Sequence, residues 1–169
     1  MRFFLAGLLF LVVLFPSFGA GRSEENVDLP NGLKLISAEF GLVSADGDGA
    51  MLFSRVPVMP LVTGLQFGWR LRFETDRKSV FLREEFQLPS APKMWESSLS
   101  APQFVVSADG RTGTTEIEAP LVDGELSSVW NVTDGDPAGP CEIRIFIDGH
   151  LATTFKFVTG QPENLLEKK

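Results

Sequence analysis

Residues Cys141 to Val158 read CEIRIFIDGHLATTFKFV, with apolar side chains at alternate positions on both sides of Asp148-Gly149. Cys141, Ile143, Ile145 and Ile147 share one phase on the first arm. Leu151, Phe155 and Phe157 share one on the second, as a period of two requires when one face of a strand pair is buried. Asp-Gly supplies the turn, since a type I′ turn needs positive φ at both central residues and these two tolerate it. The stretch predicts a β-hairpin packed on a core, and with it an all-β chain.

The strongest alternation upstream is Leu65, Phe67, Trp69, Leu71 and Phe73, interleaved with Gln66, Gly68, Arg70, Arg72 and Glu74. It predicts a long half-buried strand. Val80 to Leu88 (VFLREEFQL) follows across Asp76-Arg77-Lys78. Two arginines on one polar face offer a site for an acidic ligand, but they more simply form a solvated face, with Glu84 and Glu85 as the expected cross-strand partners. Leu33 to Val43 is a further strand. Ala50 to Val56 is a short one that ends at Pro57, and Pro60 excludes its continuation in a central position. Gln103–Ala108 and Thr114–Ala119 flank Asp109-Gly110-Arg111 as a second hairpin, and Glu125–Thr133 places Leu126, Trp130 and Val132 on one face.

Seven to nine short strands with turn signals between them, and no helical periodicity, predict an immunoglobulin-like antiparallel β-sandwich. The single cysteine, Cys141, allows no intramolecular disulfide, so burial must hold the core. Trp69 falls where such domains carry a core Trp on a central strand, and it is expected to be buried together with Trp130.

Residues 1–19 read as a signal peptide. Met1-Arg2 supplies a positive start, Phe3 to Phe15 is a thirteen-residue apolar run, and small residues follow. The run is too short for a membrane span, which needs about 20 apolar residues. Cleavage after Gly19 or Gly21 leaves small residues at −3 and −1; an uncleaved anchor is the alternative. Residues 20–32 are expected as a flexible linker, 33–160 as the sandwich domain and 161–169 as a mobile tail. After cleavage 14 basic side chains face 22 acidic ones, a balance of −8, which disfavours nucleic acid and anionic membrane as partners.

The chemistry-bearing motifs are sparse. Asp46-Gly47-Asp48-Gly49 has calcium-loop flavour but lacks the third ligand, the glycine and the closing glutamate of an EF-hand, so it reads as a hairpin turn. One His (His150, beside a turn) and one Cys cannot build a structural zinc site, and no metal or cofactor is expected. Asn131-Val132-Thr133 matches a glycosylation acceptor that lies within a strand. Met94-Trp95, in a stretch rich in proline and serine, either caps the open end of the core or contacts a partner, since Trp is enriched among binding hot spots.

Glu39-Phe40-Gly41, Val56 to Phe73 ending in Gly68-Trp69-Arg70-Leu71-Arg72-Phe73, Ala138-Gly139-Pro140 before Ile143-Arg144-Ile145-Phe146-Ile147-Asp148-Gly149, and Phe155-Lys156-Phe157 together resemble a family of bacterial exported immunoglobulin-like domains of unknown function. The resemblance covers roughly Leu33 to Val158. It implies the sandwich and export, and supplies no activity, cofactor or site residue. The expectation is a non-enzymatic periplasmic or secreted module that binds another exported or envelope protein through loops or a sheet edge. The alternatives are a carbohydrate-binding module and a carboxylate-dependent hydrolase.

Overall fold

The computed structural model describes residues 26–47, 49, 51–95 and 104–161. The expected signal peptide, the first part of the expected linker and residues 162–169 of the expected tail lie outside these. Eleven strands are described: β1 (Val27–Leu29), β2 (Leu33–Ala45), β3 (Met51–Ser54), β4 (Met59–Pro60), β5 (Gln66–Glu74), β6 (Ser79–Gln87), β7 (Phe104–Val106), β8 (Thr112–Pro120), β9 (Glu125–Asn131), β10 (Gly139–Ile147) and β11 (His150–Gly160). One sheet runs β1-β2-β5-β9, with β3 paired to the far end of β2; the other runs β4-β11-β10-β6-β8-β7. Every pairing is antiparallel except the two-residue β4–β11 contact. This is the expected immunoglobulin-like sandwich without a disulfide, and among the described residues no helix is long and apolar enough to cross a membrane.

The strand count exceeds the expected seven to nine because two short strands carry little pattern of their own. β4 is two residues at the sheet edge, where Pro60 gives up no ladder bond. β1 falls inside the stretch read as linker. It pairs with Leu33–Leu35 through Asn31-Gly32, both at positive φ (63° and 74°), an Asn-Gly turn of the same kind as Asp148-Gly149 at 50° and 81°.

Period-two burial holds along most strands. Leu35, Trp69, Leu71, Ile143 and Ile145 are fully buried between the sheets. On one side of the core Phe40 stacks on Phe155 at 5.4 Å and lies 4.6 Å from Phe157. The opening hairpin departs from strict alternation at one point. A bulge between Ile145 and Phe146 pairs Ile145 with Thr153 and Phe146 with Leu151. The extra residue shifts the phase of the second arm, so Ala152 and Thr153 are buried and Leu151, expected on the core face, is half exposed. A bulge inserts one unpaired residue and reverses the side-chain alternation beyond it.

The expected pairing of Arg70 and Arg72 with Glu84 and Glu85 does not occur, because the chain changes sheets between β5 and β6. Arg70 Nε instead donates to Glu39 at 2.9 Å and Arg72 to Glu125, both neighbours within their own sheet. Glu85 joins an ion-pair ladder on the outer face of the six-stranded sheet: Lys156, Glu142, Arg144, Glu85 and Arg83, with Arg83 4.0 Å above the Phe146 ring. At the hairpin tip the Arg77 guanidinium grips Asp148, whose Oδ1 also accepts the Phe81 N–H at 3.0 Å. These hydrogen bonds hold the Asp148 carboxyl below its usual range.

Candidate functional site

The inward phase of β6 runs Val80, Leu82, Glu84, Phe86, Leu88, so a carboxyl stands among core positions. Glu84 is 1% exposed. Its Oε1 accepts the indole N–H of Trp130 at 2.6 Å and that of Trp69 at 3.2 Å. Each buried indole thereby finds the acceptor that a buried Trp requires. Removal from water pushes the Glu84 carboxyl up from its usual value, and the two indoles and the neighbouring Ser128 hydroxyl pull it only partly back. No charged group acts on it. The carboxyl is therefore held toward its neutral form, because a lone carboxylate in an apolar interior is strongly disfavoured.

Glu84 Oε2 and Ser128 Oγ are both buried and reach no other hydrogen-bond partner, so the Ser128 hydroxyl beside the carboxyl is the one neighbour that can satisfy it. Arg83 Nε on the outer face is the other buried side-chain atom without a hydrogen bond among the described residues, though it lies 3.3 Å from Glu85. Buried polar groups are rarely left unpaired, so the Glu84–Ser128 pair marks this place in the core.

Ser128 also lines an open cleft of about 630 Å³ between the sheets on the β9–β8 flank, together with Leu82, Ile117, Ala119, Leu126 and Arg72. β9 has β5 as its ladder partner and no strand on its other side among the described residues. Gly124 O accepts from Phe73 N and Val132 N donates to Leu65 O. In an antiparallel ladder the backbone groups of successive residues point alternately to the two sides. The even-numbered residues of β9 thus bond β5, and the N–H and C=O of Ser127, Val129 and Asn131 face away from it. β8 is partnered by β7 only over Gly113–Thr115, which leaves Glu116 and Glu118 on the same open side.

Trp95 stands at the Asn131 end of this flank. Its ring packs on Phe86, Phe104 and Trp130 with centroids 5.9, 5.7 and 6.4 Å apart, and its indole N–H donates to Gly110 O at 2.9 Å. Gly113 makes room: a Cβ there would lie 2.6 Å from Phe104 and 3.0 Å from Trp95. Trp95 is half-buried and closes this end of the aromatic cluster, while Met94 beside it is 64% exposed. Trp69 and Trp130 are buried, as their phase predicts. His150 is exposed next to the hairpin turn, and Cys141 is buried with its thiol pushed up to about 11 by loss of solvent. Among the described residues no group of three or more His, Cys, Asp or Glu is placed to hold a metal.

The family model of the PM0630 beta sandwich domain matches residues 38–159. The chain belongs to that family. Among solved structures it is similar to an immunoglobulin-like protein from Pseudomonas aeruginosa, at 17% identity and a TM-score of 0.49, over 73% of this chain and 91% of that one. It also shows a weaker similarity, at 9% identity and a TM-score of 0.36, to the alkylpurine DNA glycosylase AlkC of Pseudomonas fluorescens, over 72% of this chain and 30% of that one. No curated protein matches. Family membership establishes a β-sandwich domain of unknown function, and neither solved structure bears on what this chain binds.

Sequence reasoning singled out Met94 and Trp95, placed Glu84 on the polar face as an arginine partner although it is buried in the core, and passed over Ser128 and the β9 edge. The signal for Glu84 was present: it is the one charged residue in phase with Val80, Leu82, Phe86 and Leu88. Nothing local to β9 says that it lies at an edge, since that depends on which strands pair.

Proposed function

We propose that the chain is an exported, non-enzymatic module that binds another exported or envelope protein through the β9 edge. The observation that carries the reading is the row of outward backbone groups at Ser127, Val129 and Asn131 beside an open, largely apolar cleft. An extended segment that adds to a sheet edge takes its affinity from main-chain hydrogen bonds and its specificity from the pockets that alternate side chains enter. Met94 and Trp95 sit at one end of this edge and are the contact residues that a longer partner segment would reach. The non-enzymatic part is supported by the exposed lone His150, the inert Cys141 thiol, and the absence of a second carboxylate acting on Glu84.

The test is cross-linking of the tagged full chain in the cell that exports it, followed by mass spectrometry, in parallel with a Val129→Pro variant. Proline there removes an N–H that no ladder bond uses, so the fold persists while the edge loses a donor. The reading expects the captured proteins to disappear with the variant. Capture of the same proteins by parent and variant contradicts it.

A further inference from the structure

The outer face of the six-stranded sheet changes character along its length. Its ion-pair ladder ends at Glu142 and Lys156, and beyond that pair the same face turns apolar. Pro140 and Val158 are partners across the β10–β11 ladder with both side chains on the solvent side, and Val158 is 45% exposed. Val56 and Pro57, ahead of β4, and Pro89, just past β6, stand around them, and together they line an open cleft of about 660 Å³. Gly139 lets the β6 end come close, since a Cβ there would lie 3.0 Å from the Pro89 ring.

Pro57, Pro89 and Pro140 carry no N–H, so these walls offer a ligand carbon surface. The donor stands at the far end of the cleft, where Arg111 precedes β8. Its Nε donates to Leu88 O at 3.3 Å, and Leu88 N donates back to Arg111 O at 2.9 Å, which fixes the plane of the guanidinium. Arg70, Arg72, Arg77, Arg83 and Arg144 each face a carboxylate. Arg111 pairs with none among the described residues. Asp109, its nearest acid in sequence, is turned into its own loop by Ser107 Oγ at 2.6 Å and Arg111 N at 3.1 Å. Lys156, the other cation in the lining, is already 3.5 Å from Glu142.

We propose that this cleft binds an alkyl carboxylate, its head taken by the two terminal nitrogens of Arg111 and its chain laid across β6, β10 and β11 toward Pro57. A guanidinium whose Nε is engaged still presents two parallel N–H donors, which a carboxylate accepts as a fork. From β8 to β11 is three strand spacings, about 14 Å, the reach of a medium-length chain. Small-molecule sites are in general concave, mostly apolar and oriented by a few polar groups, and this cleft has that make-up. An alkyl cation would meet the same walls and be repelled by Arg111. The cleft lies on the sheet to which β9 does not belong, so the site stands independently of the edge-binding reading.

The experiment titrates the full chain near neutral pH with decanoate and, separately, with decanol, both below the concentrations at which they aggregate. NMR follows the methyl signals of Val56, Leu88 and Val158. Decanoate is expected to bind at least about tenfold more tightly than decanol, a difference of about 1.4 kcal/mol, and shortening it to octanoate should weaken binding about fivefold. The methyls of Leu151, exposed at the other end of the same hairpin, should not move. Arg111→Gln keeps a donor for Leu88 O and should erase the preference for acid over alcohol. Val158→Glu, a change at an exposed position, should abolish decanoate binding while the melting temperature holds. Absence of shifts at the three cleft residues overturns the proposal, as does equal affinity of the parent for acid and alcohol. Undiminished decanoate binding by either variant overturns it as well.

Discussion

The two flanks of the sandwich solve the same packing problem differently. Where β2 faces β11, Phe40 lies against Phe155 and Phe157 with no polar side chain between them, and the short β1, β3 and β4 cover the sheet margins. Where β9 faces β6 and β8, the core holds a carboxyl, a hydroxyl and two indole N–H groups gathered around Glu84. The first flank packs aromatic rings against one another and hydrogen-bonds its buried Thr159 hydroxyl to Pro137 O at 2.8 Å. The second keeps its polar groups in the core beside an open edge, which is where the proposed partner segment would add.

The comparison can be broken most forcefully with large-to-small substitutions. Phe40→Ala should destabilise by roughly 3–5 kcal/mol in denaturant melting, by the same amount at pH 5 and pH 8. Trp69→Ala should lose a similar amount at pH 5 and more at pH 8, because it also removes a donor that helps Glu84 hold a charge. Equal pH behaviour in the two variants would erase the difference between the flanks.

Glu84 itself gives the next largest effect. Its folded-state pKa is raised, so the folded chain holds a proton that the unfolded chain releases, and stability falls as pH rises from the ordinary value of 4.5 through the folded-state one. Glu84→Gln keeps an acceptor for both indoles and has no charge to bury. It should match the parent near pH 4 and exceed it at pH 8 in denaturant melting, because the variant has no charge to bury.

Asp148 has the opposite sign. Its pKa is lowered by Arg77 and by the Phe81 N–H, so its contribution is present above the usual Asp range and is lost as pH falls through it. Asp148→Asn should cost about 1 kcal/mol at pH 7 and almost nothing at pH 2. Smallest of all, Lys34→Ala, which removes an exposed pair with Glu74 at 3.5 Å, should change stability by less than about 0.5 kcal/mol. Chelator should leave the melting temperature unchanged.

How much of this was legible depended on whether a feature is local. The Asp148-Gly149 hairpin, the buried Trp69 and Trp130, and the phase of β5 and β6 follow from period-two patterning within single segments. Arg70 and Arg72 were given the wrong partners because adjacency in sequence suggested adjacency in the sheet, whereas β5 and β6 lie in opposite layers. Leu151 was misplaced by a bulge that leaves no mark in composition. β1 was missed although Asn31-Gly32 is a strong turn signal, because the three residues before it are too few to show alternation. The cleft was not legible at all, since Leu82, Ile117 and Ser128 converge only after three strands from two sheets are assembled.

The claim on which the functional reading turns is that the β9 edge is open, and amide hydrogen exchange of the free full chain measures it directly. Leu126, Ser128 and Trp130, whose N–H groups face β5, should exchange slowly, while Ser127, Val129 and Asn131 between them should exchange at rates close to those of exposed loops. Slow exchange at all six positions would mean that the edge is already covered, and the account of this flank as a binding surface would be wrong.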